Sequence, residues 1–226
     1  MNKKPFTEIY QKHLREVREG LNKYTRKAFQ MLPELDKPRI LDIGCGSGVP
    51  IIELVRLSNG EIIGLDIDRS ALAELEREIK ETGLSNRVKT MRCSMFETDF
   101  PDESFDIIWA EGSTHRIGFE KALREWRRFL KPDGFLVVHD ENKDTTNKVD
   151  QIPDCGYNLI GHFALPVEVW RNEYYRPLEK RIRELRIKHT DDPEALKLID
   201  EKQNEIVMFK KDPESFCSVF FVMQKK

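Results

Sequence analysis

The sequence predicts an α/β fold built on a doubly wound, largely parallel sheet, and three features of residues 39–68 predict it. A short apolar run, Ile40-Leu41-Asp42-Ile43, has the character of a parallel strand buried on both faces. Three glycines then alternate, Gly44, Gly46 and Gly48, separated only by Cys45 and Ser47. Glycine tolerates positive φ and lets a ligand lie on the backbone, so this turn suits a close approach. After Pro50, tolerated in a first helical turn, Ile51, Ile52, Leu54 and Val55 read as a helix. Asn59-Gly60 turns the chain, and Ile62-Ile63-Gly64-Leu65 forms a second strand ending on Asp66. This is a βαβ unit of about 30 residues with a glycine turn and a distant carboxylate.

A carboxylate at the end of the second strand can accept hydrogen bonds from both hydroxyls of a ribose, which points to a nucleoside-containing cofactor. A dinucleotide fingerprint requires G-x-G-x-x-G, and counting from Gly44 its last position is Val49. The chain instead reads Asp42-x-Gly44-x-Gly46-x-Gly48. An acid beside the turn repels a pyrophosphate and suits a ligand carrying an ammonium group.

This D-x-G-x-G-x-G run, with Asp66 beyond it, resembles motif I of the class I S-adenosylmethionine-dependent methyltransferases, and the likeness continues from Arg39 to Asp140. The resemblance implies a Rossmann-like seven-stranded sheet with an antiparallel last strand. It implies S-adenosylmethionine as cofactor, held by Asp42, Gly44, Cys45, Gly46, Ser47, Gly48, Asp66, Ile67, Ser94, Met95 and Glu111. Related enzymes often carry Gly-Asp-Ala where this chain has Cys93-Ser94-Met95; Ser94 then takes the place of an Asp that holds the adenine amino group. The resemblance is to the branch that acts on small molecules.

In chain order, Phe6, Ile9, Tyr10, His13, Leu14 and Val17 fall at helical spacing over 6–19, and Gly20 ends that helix. A second helical pattern, about 22–32, closes at Pro33. Asp68 or Ser70 can cap a helix bearing Leu72, Leu75 and Ile79, which Gly83 terminates. Residues 87–92 suit a third strand, and Phe105–Ala110 a fourth that ends in Glu111-Gly112-Ser113-Thr114-His115. A helix over 119–130 leads to a turn at Lys131-Pro132-Asp133-Gly134 and a fifth strand, Phe135–His139. Tyr157–Leu165 reads as the sixth strand and Phe216–Met223 as the last.

Between the last two strands lies a helical insertion, 166–213. Trp170, Tyr174, Leu178, Ile182 and Leu185 share one stripe, broken or kinked near Pro177, and Asp192-Pro193-Glu194 starts another helix. Tyr175 falls off that stripe. The organisation expected is a single domain: an N-terminal helical cap at 1–33, a cofactor-binding core at 38–165, the insertion and a last strand at 214–226. The cap and the insertion are expected to close over the cofactor cleft, with Tyr10, Trp170, Tyr174 and Tyr175 shaping the acceptor pocket.

Glu111 and His115, at the end of the fourth strand, are the acid/base candidates, because ligands in doubly wound sheets lie outside the carboxyl ends of central strands. His139 and His162 are expected to be satisfied by backbone groups. Composition narrows the rest. Thirty-eight Lys and Arg against 40 Asp and Glu leave a net charge of −2, which gives no electrostatic footprint for nucleic acid. MNKKPFTEIY has no apolar core, and no stretch approaches membrane-spanning length, so the chain reads as cytoplasmic. Cys45, Cys93, Cys155 and Cys217 are scattered, form no C-x-x-C pair and are expected to be small buried side chains; no metal site is expected. The reading is a methyltransferase acting on a small molecule. Its rivals are an inactive cofactor-binding partner subunit and an NAD-dependent oxidoreductase.

Overall fold

The computed structural model describes residues 6–226, so the first five residues of the N-terminal stretch discussed above lie outside it. The described chain divides into two compact units. One unites Asn22–Ala164 with Ser218–Lys226; the other unites the residues up to Leu21 with Leu165–Cys217.

The larger unit holds a seven-stranded sheet. Its strands are β1 (Arg39–Ile43), β2 (Glu61–Asp66), β3 (Val88–Arg92), β4 (Phe105–Glu111), β5 (Leu130–Glu141), β6 (Tyr157–Leu165) and β7 (Ser218–Lys225). Their order is β3-β2-β1-β4-β5-β7-β6, parallel from β3 to β5, with β7 antiparallel to β5. This is the Rossmann-like arrangement expected. The central strands are apolar because they are covered on both sides; Leu41, Ile43, Ile108, Leu136 and Val138 are all buried in one core. Among the helices of this unit are α2 (Asn22–Phe29), α3 (Val49–Leu57), α4 (Arg69–Glu81), α5 (Phe119–Trp126) and α6 (Thr145–Gln151). Asp68 caps α4 by accepting from the Ser70 and Ala71 N–H groups.

Several boundaries differ from the sequence expectation. The Lys131–Gly134 turn exists, but as a loop pushed out of a longer β5. Leu130 already pairs with Phe105, and pairing resumes at Phe135 opposite Ile107, with Asp133 at φ 58°. The helix before it is shorter, because Arg127–Phe129 tighten into a 3₁₀ turn. α2 stops at Phe29 rather than residue 32, and β7 starts two residues later than Phe216. α6 (TTNKVDQ) buries no side chain, so it left no apolar period to find. The expectation that backbone groups satisfy His139 is not met at Nε2, which pairs with the Ser218 hydroxyl at 2.6 Å, and the ring stacks on Phe220.

The smaller unit is helical: α1 (Phe6–Glu19), then α7 (Val167–Val169), a π-helical segment (Trp170–Tyr175), α8 (Arg176–Lys188) and α9 (Pro193–Lys211). Pro177 does not break the chain here. It follows directly on the π turn, where widened i→i+5 geometry accommodates the missing N–H and the ring's demand for space, so helix continues from Val167 to Lys188. The core of this unit gathers Tyr10 and Val17 from α1 with Tyr175, Leu178, Ile182, Leu185, Ile199, Ile206 and Phe209. Tyr175 therefore belongs to the packing stripe, three residues before Leu178. It is 5% exposed and stacks on Phe209 with ring centroids 3.9 Å apart.

That placement sets an expectation. Tyr175→Ala removes a buried ring and should destabilise the protein by about 3 kcal/mol or more, read as a lowered denaturant midpoint. Tyr175→Phe loses only a long 3.4 Å bond to Glu205 and should stay within about 1 kcal/mol of wild type. Equal midpoints for the Ala variant and wild type would show that this ring does not hold the unit together.

Candidate functional site

The carboxyl ends of β1, β2, β3 and β4 frame a cavity of about 530 Å³ in the larger unit. The turn after β1 forms one wall. Gly44 N–H and Cys45 N–H both donate to the Leu65 carbonyl, and Gly48 N–H donates to the Cys45 carbonyl, which curls the backbone tightly. Gly46 N–H points instead to Asp66 and donates to its Oδ2 at 2.8 Å. The Asp68 N–H donates to the other oxygen, Oδ1, at 2.9 Å. One carboxylate thus joins the glycine turn to the start of α4, and each oxygen keeps acceptor capacity toward the cavity.

The glycines have different reasons to be glycine. A Cβ on Gly48 would sit 2.3 Å from the Leu75 side chain, so this residue serves the packing of α4. A Cβ on Gly46 would meet nothing within 4 Å, and its φ is 53°. Gly46 lines the cavity and Gly48 does not.

Of the residues expected to hold a cofactor, Gly44, Gly46, Asp66, Ile67, Ser94 and Met95 line this cavity together, and so does His115. Asp42, Cys45, Ser47, Gly48 and Glu111 do not. Cys45 is packed inward toward Gly64, and burial pushes its thiol pKa up. Cys93, expected to be buried, is half-exposed and lines the cavity. Sequence reasoning also missed Phe96, Gly112, Ser113 and Arg116. Phe96 had a legible signal, a large aromatic just past the third strand, and it stands 55% exposed.

The opposite wall is the segment after β4, and three bonds pin it. Ser113 Oγ donates to the Ile43 carbonyl, Gly112 N–H donates to the His139 carbonyl, and Thr114 Oγ1 donates to Asp140 Oδ1. Asp140 is held in turn by Lys148 at 2.7 Å. His115 Nδ1 lies 3.0 Å from the Gly112 carbonyl. A carbonyl only accepts, so Nδ1 carries a proton, and in the neutral ring Nε2 keeps a lone pair. Glu111 is committed elsewhere: its Oε1 accepts from Thr25 of α2 at 2.8 Å and from Trp109 Nε1 at 2.9 Å.

Asp42 is 1% exposed, and its Oδ2 has no hydrogen-bond partner. Burial, then the nearby charges of Glu111 and Asp66, push its carboxyl well above the usual range. Tyr10, Trp170, Tyr174 and Tyr175 belong to the helical unit: Tyr10 donates its hydroxyl proton to the Leu198 carbonyl, and the other three rings contact one another.

The cavity fits an adenosine-bearing ligand with a cationic end. It has a carboxylate with spare acceptor sites, a backbone open to close approach, apolar walls at Ile67, Met95 and Phe96, and an orphaned acid beneath the turn. The family model described as "Methyltransferase domain" matches residues 40–134. A sterol 24-C-methyltransferase of Gibberella zeae is 33% identical over 103 residues, 45% of this chain and 27% of that one. The chain spans less than half the length of the first curated relatives it matches. A methyltransferase structure from Geobacter sulfurreducens in complex with S-adenosyl-L-homocysteine superposes with a TM-score of 0.72 at 16% identity, covering 92% of this chain and 91% of that one. The structure of the [4+2]-cyclase SpnF superposes at 0.74 with 18% identity, covering 90% and 80%.

A buried acid with a raised pKa costs stability as pH rises. The folded state keeps Asp42 protonated where the unfolded chain has lost that proton, so stability falls from the ordinary carboxylate range upward, until the folded pKa is reached. Asp42→Asn abolishes this slope. Each pH unit between the unfolded and folded pKa values removes roughly 1.4 kcal/mol from wild type alone, so the variant's melting temperature at neutral pH should be higher by about 3 °C or more. The gap should close near pH 4, about where an unfolded Asp titrates. A gap that does not depend on pH would contradict the burial argument.

Proposed function

We propose that this chain carries a class I S-adenosylmethionine-dependent methyltransferase domain and transfers a methyl group to a small-molecule acceptor by in-line displacement. One observation carries the reading: the Asp66 carboxylate and the unobstructed Gly46 backbone face the same cavity at the carboxyl ends of β1 and β2.

S-adenosylmethionine, when bound, supplies a methyl group already activated on a sulfonium. The chain's residues supply position and exclusion of water. Asp66 would accept from the ribose hydroxyls with the lone pairs that Gly46 and Asp68 leave free. Ile67, Met95 and Phe96 would flank the base, and the Ser94 hydroxyl, which already accepts from the Phe96 N–H, would be offered to its edge. His115 is the group to take a proton from the acceptor, since Nε2 is free while Nδ1–H is anchored to Gly112. Glu111, with Oε1 saturated by Thr25 and Trp109, fixes the loop rather than moving a proton.

We place the reaction in the cytoplasm, a reading supported by four unpaired cysteines; no helix among the described residues is long and apolar enough to cross a membrane. A second reading keeps the cofactor and drops the transfer. It is favoured by the superposition on a cyclase, which means that this fold alone does not fix the reaction. An NAD-dependent oxidoreductase is disfavoured by Val49 in place of a third glycine and by the acid at Asp42.

Calorimetry with S-adenosylmethionine, S-adenosylhomocysteine and NAD should show binding of the first two only; tighter binding of NAD would end this reading. Asp66→Ala should weaken both ligands by roughly tenfold to a hundredfold, about 1.5–3 kcal/mol. Gly46→Val should abolish binding while far-ultraviolet circular dichroism stays native. A metabolite extract supplied with methyl-labelled cofactor separates transfer from mere binding: labelled product is expected, and its absence across extracts favours the binding subunit.

A further inference from the structure

We infer that Asp42 is the residue by which this site prefers a sulfonium cofactor to the neutral thioether left after methyl loss, releasing its proton to the solvent when the cation binds. The inference rests on the cofactor reading above.

The sheet register brings three acids together. Asp42 pairs with Gly64 of β2 on one side and with Trp109 of β4 on the other. Side chains alternate along a strand, so residues two further on, Asp66 and Glu111, project from the same face at the same end of the sheet. Three adjacent strands therefore aim carboxyl groups at one place. Asp66 accepts from Gly46 and Asp68, and Glu111 accepts from Thr25 and Trp109. Asp42 Oδ2 has no such donor, is shut away from water, and makes no ion pair among the described residues.

The other described groups around it offer no counter-charge. Cys45, on the turn above, is a buried thiol whose ionisation burial opposes. Thr25, on α2, is uncharged. Arg26 on the same helix is engaged by Glu53 of α3 at 2.6 Å. A carboxylate buried without a partner beside two others is costly, so Asp42 holds its proton in the free protein.

A ligand bringing positive charge into the cavity reverses this balance. The O–H bond of Asp42 breaks, the electron pair stays on the carboxylate, and the proton passes to the buffer. S-adenosylmethionine and S-adenosylhomocysteine share the ammonium, the carboxylate and the adenosine, and differ in the methyl group and its sulfonium charge. The two ligands therefore differ in how strongly they favour ionised Asp42. Because the sulfonium form favours it more, its affinity relative to the thioether rises with pH, until the pH reaches the pKa of Asp42 in the thioether complex.

The test is calorimetry of both ligands on the full chain from about pH 5.5 to 9, a window that spans the range above an ordinary carboxylate, in two buffers of different ionisation enthalpy. In wild type the ratio of affinities should climb by about three- to tenfold per pH unit across the titration of Asp42. The buffer comparison should show more proton release with S-adenosylmethionine than with S-adenosylhomocysteine. In Asp42→Asn the ratio should be flat and the release equal. A pH-independent ratio in wild type, or the same slope in the variant, overturns the inference and leaves the cofactor reading standing. If wild type binds neither ligand, both fall. The buffer comparison on wild type decides the matter even if the variant misfolds.

Discussion

The site depends on one carboxylate doing two jobs. Asp66 receives the Gly46 N–H from one loop and the Asp68 N–H from another, closing a bridge over 20 residues of chain. Without it the glycine turn would keep its inner bonds to Leu65 but lose the one that orients Gly46 toward the cavity. In the proposed function the same oxygens are the acceptors offered to a ribose. Ligand affinity and loop order are therefore linked through a single group, and a ligand that binds Asp66 also stabilises the turn that admits it.

The second constraint is electrostatic. A parallel sheet collects its strand ends, and here three of those ends carry acids, among them Asp42, whose buried Oδ2 has no donor. Asp42 sits in a strand buried on both sides, between Leu41 and Ile43, where an apolar side chain would pack at no electrostatic cost. Keeping an acid there sacrifices stability at neutral pH. Sites with such unfavourable local choices are where function is expected to reside.

The cofactor half of the chain is legible in the sequence because its signals are local. The βαβ unit, the Asp68 cap and the apolar strands are read from residues adjacent in sequence, and β6 (Tyr157–Leu165) has the ends that its pattern indicates. What is not legible depends on distant partners. Nothing in Glu111's surroundings in sequence shows that Thr25, 86 residues away, donates to it. Gly48 has the spacing of a ligand cradle, and only the Leu75 side chain against it reveals a packing role. Tyr175 falls outside a stripe counted from Trp170 in steps of four; counted back from Leu178 in a step of three, it is a core residue. The β5 loop at Lys131–Gly134 has the proline and glycine of a simple turn, and these residues do not tell a turn between elements from a loop within a strand.

The π segment Trp170–Tyr175 bears on how this chain can change length. A π turn is an α-helix with one residue too many, retained without breaking the helix at either end. Removing any one residue between 170 and 175 would restore ordinary pitch and swing everything upstream of the deletion by about 100° relative to α8. Val167 would leave the core it shares with Leu178 and Ile182. The segment therefore keeps a reading frame of its own. Deletions there come one at a time only at the cost of that packing, while the surface turn at 189–192, between α8 and α9, is where the helical unit can gain or lose residues without rotating either helix.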